Sequence, residues 1–397
     1  MVPKGWSESY LGEVVTYKKG YAFNSSLYAE EGIRIVRISD TTRDSIHSDN
    51  PVFIAGGNVE GLEQYSLFEN DIILSTVGSR PHLLDSMVGK AVKVPRSAHN
   101  SLLNQNLVKL IPKKTKITNE YLFSMLKTKE FIQFISNLVR GNANQVSITL
   151  ADLFKYKFIL PSLPEQKKIA QILSTWDKAI SVTEKLLTNS QQQKKALMQQ
   201  LLTGKKRLLD ENGVRFIKKW EKTTLGDIAK ITTGSSNRQD SSLDGKYTFF
   251  DRSEDIRTSS IYLFDGEAII VPGEGQRFEP KYFIGKFDLH QRTYAIMDFA
   301  SHSGRFLFYM IDYLKVYFLN QAVGSTVKSL RLPMFQKMTF EAPEIEEQQK
   351  IAAVLSAADA EISTLEKKLA CLKREKKALM QQLLTGKRRV VVDVDAA

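Results

Sequence analysis

The sequence predicts an α+β chain written twice. Two variable α+β domains are joined by two long helices packed as an antiparallel coiled coil, with an internal pseudo-twofold repeat. Three observations predict this. Residues 161–208 align without a gap on 343–390, and the run KKALMQQLLTGK is identical at Lys194–Lys205 and Lys376–Lys387. Each half opens on a similar segment, with Trp6, Leu11, Gly12, Glu13 and Gly20 matching Trp220, Leu225, Gly226, Asp227 and Gly234 at constant offset. The two aligned stretches also space their apolar residues alternately by four and three, the period of a helix wound against another helix. A repeat of this kind defines the organisation of the chain before any local element does.

Taken in order, the first variable domain spans 1–160. It shows short strand-like runs (Ile33–Ile38, Ile72–Leu74, Ala91–Val94, Leu107–Ile111) between Gly, Ser and Asn turns, with one helix expected over Asn119–Leu138. The first constant segment, 161–208, places Ile169, Leu173, Trp176, Ile180, Leu187, Leu197 and Leu201 on one seam. Pro164 marks the helix start and Gly204 its stop, with basic Lys205–Arg207 at the negative end of the helix dipole. Leu209–Lys219, polar and carrying Gly213, is expected to be a linker.

The second variable domain, 214–342, has strand-like runs at Ile269–Val271 and Thr293–Met297 and one helix expected over Ser303–Leu314. The third match between the halves, Leu67-Phe68-Glu69 with Leu263-Phe264-Asp265, precedes an apolar run in each. The second constant segment, 343–390, repeats the seam with Ile351, Leu355, Ile362, Leu369, Leu379 and Leu383, and Gly386 as its stop.

A lone amphipathic helix would leave its seam in water, so the two copies are expected to bury each other, antiparallel because the domain between them returns the chain. A helix of about 38 residues spans about 57 Å at 1.5 Å per residue. Trp176 matches Ala358 across the copies, and Lys194 and Lys376 interrupt the seam once per helix. Such interruptions lower stability but fix register.

Composition narrows the function classes. Hydrophobic residues at 42% and charged residues at 25% are those of an ordinary globular chain. A net charge of +12 and a pI near 9.4 are not ordinary. They favour a polyanionic partner, of which nucleic acid is the commonest. No basic amphipathic helix or lipidation signal points to a membrane surface, and no apolar run reaches the length of a span. The N-terminus MVPKGWSESY lacks the apolar core of a signal peptide. The single cysteine, Cys371, excludes an intrachain disulfide and a Cys-based zinc site. A reducing cytoplasm is the expected location.

Enzyme machinery is absent by motif: no GxxxxGK[ST], no GxGxxG, no HExxH, and no Asp/Asn-Pro-Pro-aromatic motif of an amino-methyltransferase. The five histidines have no metal-like spacing. No catalytic residue, metal or cofactor is therefore expected. What recurs in both variable domains is basic and polar loops beside glycine. Candidate DNA contacts in the first are Lys18, Lys19, Tyr21, Arg80, Asn104, Gln105, Arg140, Asn142, Asn144 and Gln145. In the second they are Asn237, Arg238, Gln276, Arg277, Arg292, Ser325 and Lys328. Arg, Asn and Gln read guanine and adenine edges bidentately, whereas Lys and Ser suit phosphates. Such residues populate any surface loop, so it is their recurrence in both halves, with the net charge, that points to DNA. Identity of the helix endings extends to outward positions such as Gln199 and Gln381. That exceeds what a packing seam requires and suits a partner that docks twice.

The pattern resembles the specificity (S) subunits of type I restriction–modification systems. The resemblance covers essentially the whole chain and rests on LPEQKKIAQIL at 163–173, EEQQKIAAVL at 346–355, both ALMQQLLTGK endings and the two Trp…Leu-Gly-[Glu/Asp] openings. It implies two target recognition domains, each reading half of a split double-stranded DNA site, and a coiled coil that sets the unread spacer. It further implies two modification subunits that methylate adenine, joined by restriction subunits that translocate and cleave DNA. No active site is expected in this chain. A stand-alone DNA-binding regulator with the same architecture is the alternative, and an enzyme with an unrecognised site is a third reading.

Overall fold

In a computed structural model of the full chain, residues 2–392 are described apart from 43–44, 79–87, 143–144 and 253–255. The chain divides into two compact units, Met1–Val182 with Leu369–Ala397, and Thr183–Lys368.

In the first unit the apolar runs build two sheets. Val15–Lys19, Leu107–Pro112, Ile72–Ser75 and Ala91–Lys93 form a four-stranded antiparallel sheet in that order. Tyr28–Ala29, Val52–Ile54, Ile33–Val36, Ser101–Leu103 and Ser66–Leu67 form a five-stranded one. Ile72, Ile73 and Leu74 are all buried, because the sheet is covered on both faces. The single helix expected over Asn119–Leu138 is two, Asn119–Leu126 and Lys129–Leu138. Thr128 breaks it: its Oγ1 accepts from the Phe131 N–H and restarts the chain as an N-cap. The turn lets Tyr121 and Phe131 enter one core from separate helices.

In the second unit Lys230–Thr233, Thr293–Met297, Phe264–Pro272, Lys281–Leu289, Tyr247–Phe250 and Ile256–Ser259 form a single six-stranded sheet. The helix expected over Ser303–Leu314 runs Gly304–Tyr313, capped by Ser303, and a second helix, Lys315–Gln321, follows it. The expected linker is an ordered turn. Asp210 Oδ1 accepts from the Asn212 and Val214 N–H groups at 2.8 Å each, Gly213 supplies φ +78°, and Phe216 is buried.

Both domains close with the same antiparallel pair of strands. Ser7–Tyr10 pairs with Lys157–Leu160, and Glu221–Thr224 with Thr339–Ala342. Each closing strand leads into a long helix, Leu163–Leu201 or Ile345–Leu383, of 39 residues apiece. Within each unit the two helices meet antiparallel. In the first, Glu165 contacts Arg389 and Asp177 contacts Lys376. In the second, Ser190 Oγ donates to Glu361 Oε1 at 2.9 Å and Lys194 Nζ lies 2.6 Å from Asp359 Oδ1. The two seam lysines are thus equivalent and satisfied alike, each by an aspartate on the facing helix. Ile169, Leu173, Leu201, Ile351, Leu355 and Leu383 are buried, while Trp176, Ile180, Leu187, Leu197, Ile362, Leu369 and Leu379 are partly buried. Among the described residues no helix is long and apolar enough to cross a membrane, and no cluster of three His, Cys, Asp or Glu could hold a metal ion.

Candidate nucleic-acid interface

The repeated residues meet at two equivalent junctions, one in each unit. In the first, Glu165 on the opening turn of its helix accepts from Trp6 Nε1 at 3.1 Å, from Ser162 Oγ at 3.0 Å, and from Arg389 Nε and Nη2 at 2.9 and 2.6 Å. In the second, the fully buried Glu347 receives Arg207 Nε and Nη2 at 2.7 and 2.6 Å, one on each oxygen. Arg389 lies over the Trp6 ring and Arg207 over the Trp220 ring. Burial raises the Glu165 pKa, but the bonds from Arg389, Trp6 and Ser162 outweigh it and the carboxyl falls below its ordinary value.

The next residue of each helix, Gln166 or Gln348, ties the helix to its domain. The Gln166 side chain accepts from the Thr118 N–H at 2.9 Å and donates to Pro161 O at 3.0 Å. Gln348 accepts from the Ser303 N–H at 3.0 Å and donates to Pro343 O at 2.8 Å. Thr118 and Ser303 are themselves the N-caps of equivalent domain helices. The glutamates and arginines lie off the heptad seam, and the glutamines continue it by one polar position before its first apolar residue. Their signal was identity in both copies at positions that carry no apolar residue.

On this frame the polar loops are laced together. Gly20 donates to Leu107 O and Tyr21 to Leu103 O. A Cβ at Gly20 would lie 2.0 Å from Asn104 O, so only glycine permits the crossing. Gly234 is its equivalent, where a Cβ would lie 1.7 Å from Leu289 O, and the Ser236 and Gln291 backbones bond across the same gap.

In the first unit the crossing presents an aromatic and lysine surface. Tyr21 is exposed and packs on Phe23 and Tyr65, and Lys18 lies over Tyr65 and bonds Gln64. Lys19 and Gln105 are exposed beside them, whereas Asn104 is buried with its Oδ1 toward the Asn106 N–H. Arg140 stands apart on the strand Arg140–Asn142, 3.4 Å from Asp152, and pairs in register with Gln145–Ser147. Arg80 and Asn144 lie outside the described residues, and the side chains of Asn142 and Gln145 are not described.

In the second unit the crossing gathers arginines on carboxylates. Asn237 Oδ1 accepts from Gln291 Nε2 at 2.6 Å. Arg238 and Arg257 approach the fully buried Asp251 at 3.6 and 3.8 Å, and His290 lies 4.0 Å from it. Burial lowers the His290 pKa below its ordinary value, outweighing the opposing pull of Asp251. Glu274 joins Arg292 to Arg252, and its strand pairs with Lys328–Ser329. Gln276 and Arg277 are exposed on the same turn, and Ser325 is exposed on the loop before Lys328. Arg252, Arg257, Asp251 and Glu274 were not among the residues expected from sequence. Each lies next to a loop that was, and only the sheet register brings them into it.

Residues 3–189 and 217–374 match the family model described as the type I restriction modification DNA specificity domain. The chain belongs to this family. The chain is 25% identical over 422 residues to the protein named as the type I restriction enzyme MjaX specificity subunit of Methanocaldococcus jannaschii, covering 98% of this chain and 95% of that one. It is 28% identical over 214 residues to the MjaVIII specificity subunit of the same organism, covering 53% and 48%. Its fold is similar to the crystal structure of the type I restriction–modification S subunit from M. genitalium, with TM-score 0.67 and 14% identity, covering 96% of each chain.

Proposed function

We propose that this chain is the non-catalytic specificity subunit of a type I restriction–modification complex. Each variable domain reads one half of a split double-stranded DNA site, and the length of the paired helices sets the unread spacer. Two adenine-methylating modification subunits dock on the repeated helices, and restriction subunits join that assembly. The observation that carries this reading is the duplicated junction. Trp6–Glu165–Arg389 and Trp220–Glu347–Arg207 are one device used twice, and it holds two sets of loops with unlike chemistry. A repeated frame suits a partner bound twice, and unlike loops suit two different half-sites.

Sequencing of adenine methylation in the host genome tests the reading. A split motif that disappears on deletion of this gene is expected, and a methylome unchanged by the deletion overturns it. Exchange of residues 214–342 for those of a relative should replace one half-site and leave the other. Insertion of four residues in both long helices should lengthen the spacer with both half-sites kept. The mass of the purified complex should correspond to two modification subunits per specificity chain, and a complex with one would remove the paired docking. Several phosphate contacts would also make DNA affinity fall steeply with salt.

A further inference from the structure

We infer that Arg292 and Arg252, held by the shared carboxylate of Glu274, form a guanine-reading pair in the second domain. This inference rests on the reading of that domain as a DNA reader and names the base it reads.

Arg292 Nη1 donates to Glu274 Oε1, and Arg252 Nη1 donates to Glu274 Oε2 at 3.0 Å. One carboxylate therefore fixes two guanidinium groups through a single nitrogen of each. The carboxylate is 15% exposed while the two arginine side chains are 56% and 46% exposed, so the acid lies beneath and the cations face outward. Backbone bonds hold the arrangement in place. Gly273 N donates to Arg292 O at 2.9 Å, Leu330 N donates to Gly273 O at 2.8 Å, and Glu274 pairs in register with Ser329. A Cβ at Gly273 would lie 2.3 Å from Arg292 O, so the approach depends on glycine.

Two cations on one anion leave a net positive charge, and the choice between phosphate and base follows from what surrounds it. A phosphate brought against these arginines would be attracted, but Glu274 beneath them would cancel part of that attraction. A guanine edge offers O6 and N7 as neutral acceptors and loses far less to that carboxylate. An arginine already held by a carboxylate also has less rotamer freedom to lose on binding, which favours directional base reading over diffuse phosphate contact.

The first domain supplies the contrast. There Val77 pairs with Ser147 as Glu274 pairs with Ser329, and Thr76 N donates to Asn106 O as Gly273 N donates to Arg292 O. Val77 and Asn106 thus occupy the positions of Glu274 and Arg292, and among the described residues the first domain has no such pair at this place. The guanine requirement belongs to one half-site.

The test uses the native full-length chain in its complex, with duplexes carrying the methylated motif. Replacing guanine by 7-deazaguanine, which lacks the N7 acceptor, at successive positions of the half-site read by residues 214–342 should weaken binding on the order of 10- to 100-fold at one or two positions. Inosine, which keeps O6 and N7, should bind nearly as guanine does. In the host, R292A or R252A should relax the motif at a G·C pair of that half-site alone, and R292K should not restore it. Tolerance of 7-deazaguanine throughout the half-site overturns the inference. So does an arginine variant that weakens all sequences equally, which is the behaviour of a phosphate contact. Because the base-analogue measurement uses the unaltered chain, it decides the question even where a variant fails to fold. A native complex with no split motif would instead overturn the proposed function.

Discussion

Glu165 and Glu347 occupy the same position in two copies of one helix, yet they are satisfied differently. Glu165 divides its oxygens between an arginine, a serine and the Trp6 indole, and the Arg389 side chain remains 42% exposed. Glu347 is fully buried and gives both oxygens to Arg207, itself only 18% exposed, while Trp220 Nε1 finds no partner among the described residues. The second unit is also bolted to its helix by Tyr309, whose hydroxyl donates to Asp359 Oδ2 at 2.6 Å and lies 3.1 Å from Ser356 Oγ. Burial first, and then the bond to Asp359, raises the Tyr309 pKa well above its ordinary value and keeps it a donor. Ser124 stands at the equivalent place in the first unit and, among the described residues, its hydroxyl bonds its own helix at Glu120 O. Duplication thus preserved the position of the junction while burial redistributed its energy toward the second unit.

The largest expected effect breaks that comparison directly. Glu347→Ala leaves Arg207 buried without its bidentate partner and should destabilise the protein by about 3–5 kcal/mol. Glu165→Ala, with its arginine half in water, should lower stability by about 1–3 kcal/mol. Urea unfolding of the two variants measures both, and equal losses would mean that burial does not set the difference. Next, Tyr309→Phe removes a hydrogen bond to a charged acceptor and should lower stability by about 1.5–3 kcal/mol. Ser124→Ala should change it by less than about 0.5 kcal/mol. Thermal unfolding that ranks the two alike would remove the bolt.

The helix stops extend the comparison in the opposite sense. Gly204 and Gly386 both take left-handed backbone, at φ +67° and +70°. A Cβ at Gly386 would lie 2.4 Å from Pro3 Cγ, whereas one at Gly204 would meet Trp220 only at 3.4 Å. Gly386→Ala should lower stability by about 1–2 kcal/mol and Gly204→Ala by about 1 kcal/mol, read from denaturation midpoints. The reverse order would place the strain elsewhere.

The smallest effect is on pH dependence. Burial lowers the pKa of His290 and of His302, both in the second unit, below the ordinary 6.5. As pH falls through that value the unfolded chain takes up protons first, so the native state loses stability below about pH 6.5. Unfolding free energies at pH 7 and pH 5 should show this loss, and a His290→Gln, His302→Gln variant should show less of it. An undiminished loss would assign the acid sensitivity to other groups.

Much of this frame was legible in sequence because repetition and heptad spacing are properties of the chain order. The two long helices, their glycine stops and the paired openings could be read from residue numbers alone. The break at Thr128 could not, because a threonine inside a run of helix formers becomes an N-cap only when Tyr121 and Phe131 are drawn into one core. The loop residues were legible as a class and not as an arrangement. Tyr21 is presented while Asn104 is buried beneath the same crossing, and nothing in their spacing separates them.

By itself the sequence determined that there are two copies and that each carries a long helix with a matching seam. Periodicity and identity are local quantities and need no fold to be read. Only the tertiary structure decided which charges meet. Glu347 and Arg207 are separated by an entire domain in the chain, as are Glu165 and Arg389. Glu274 finds Arg252 and Arg292 through sheet pairing, not through sequence spacing. Partner choice between distant charges depends on burial and on strand register, and both arise only when the whole domain has closed.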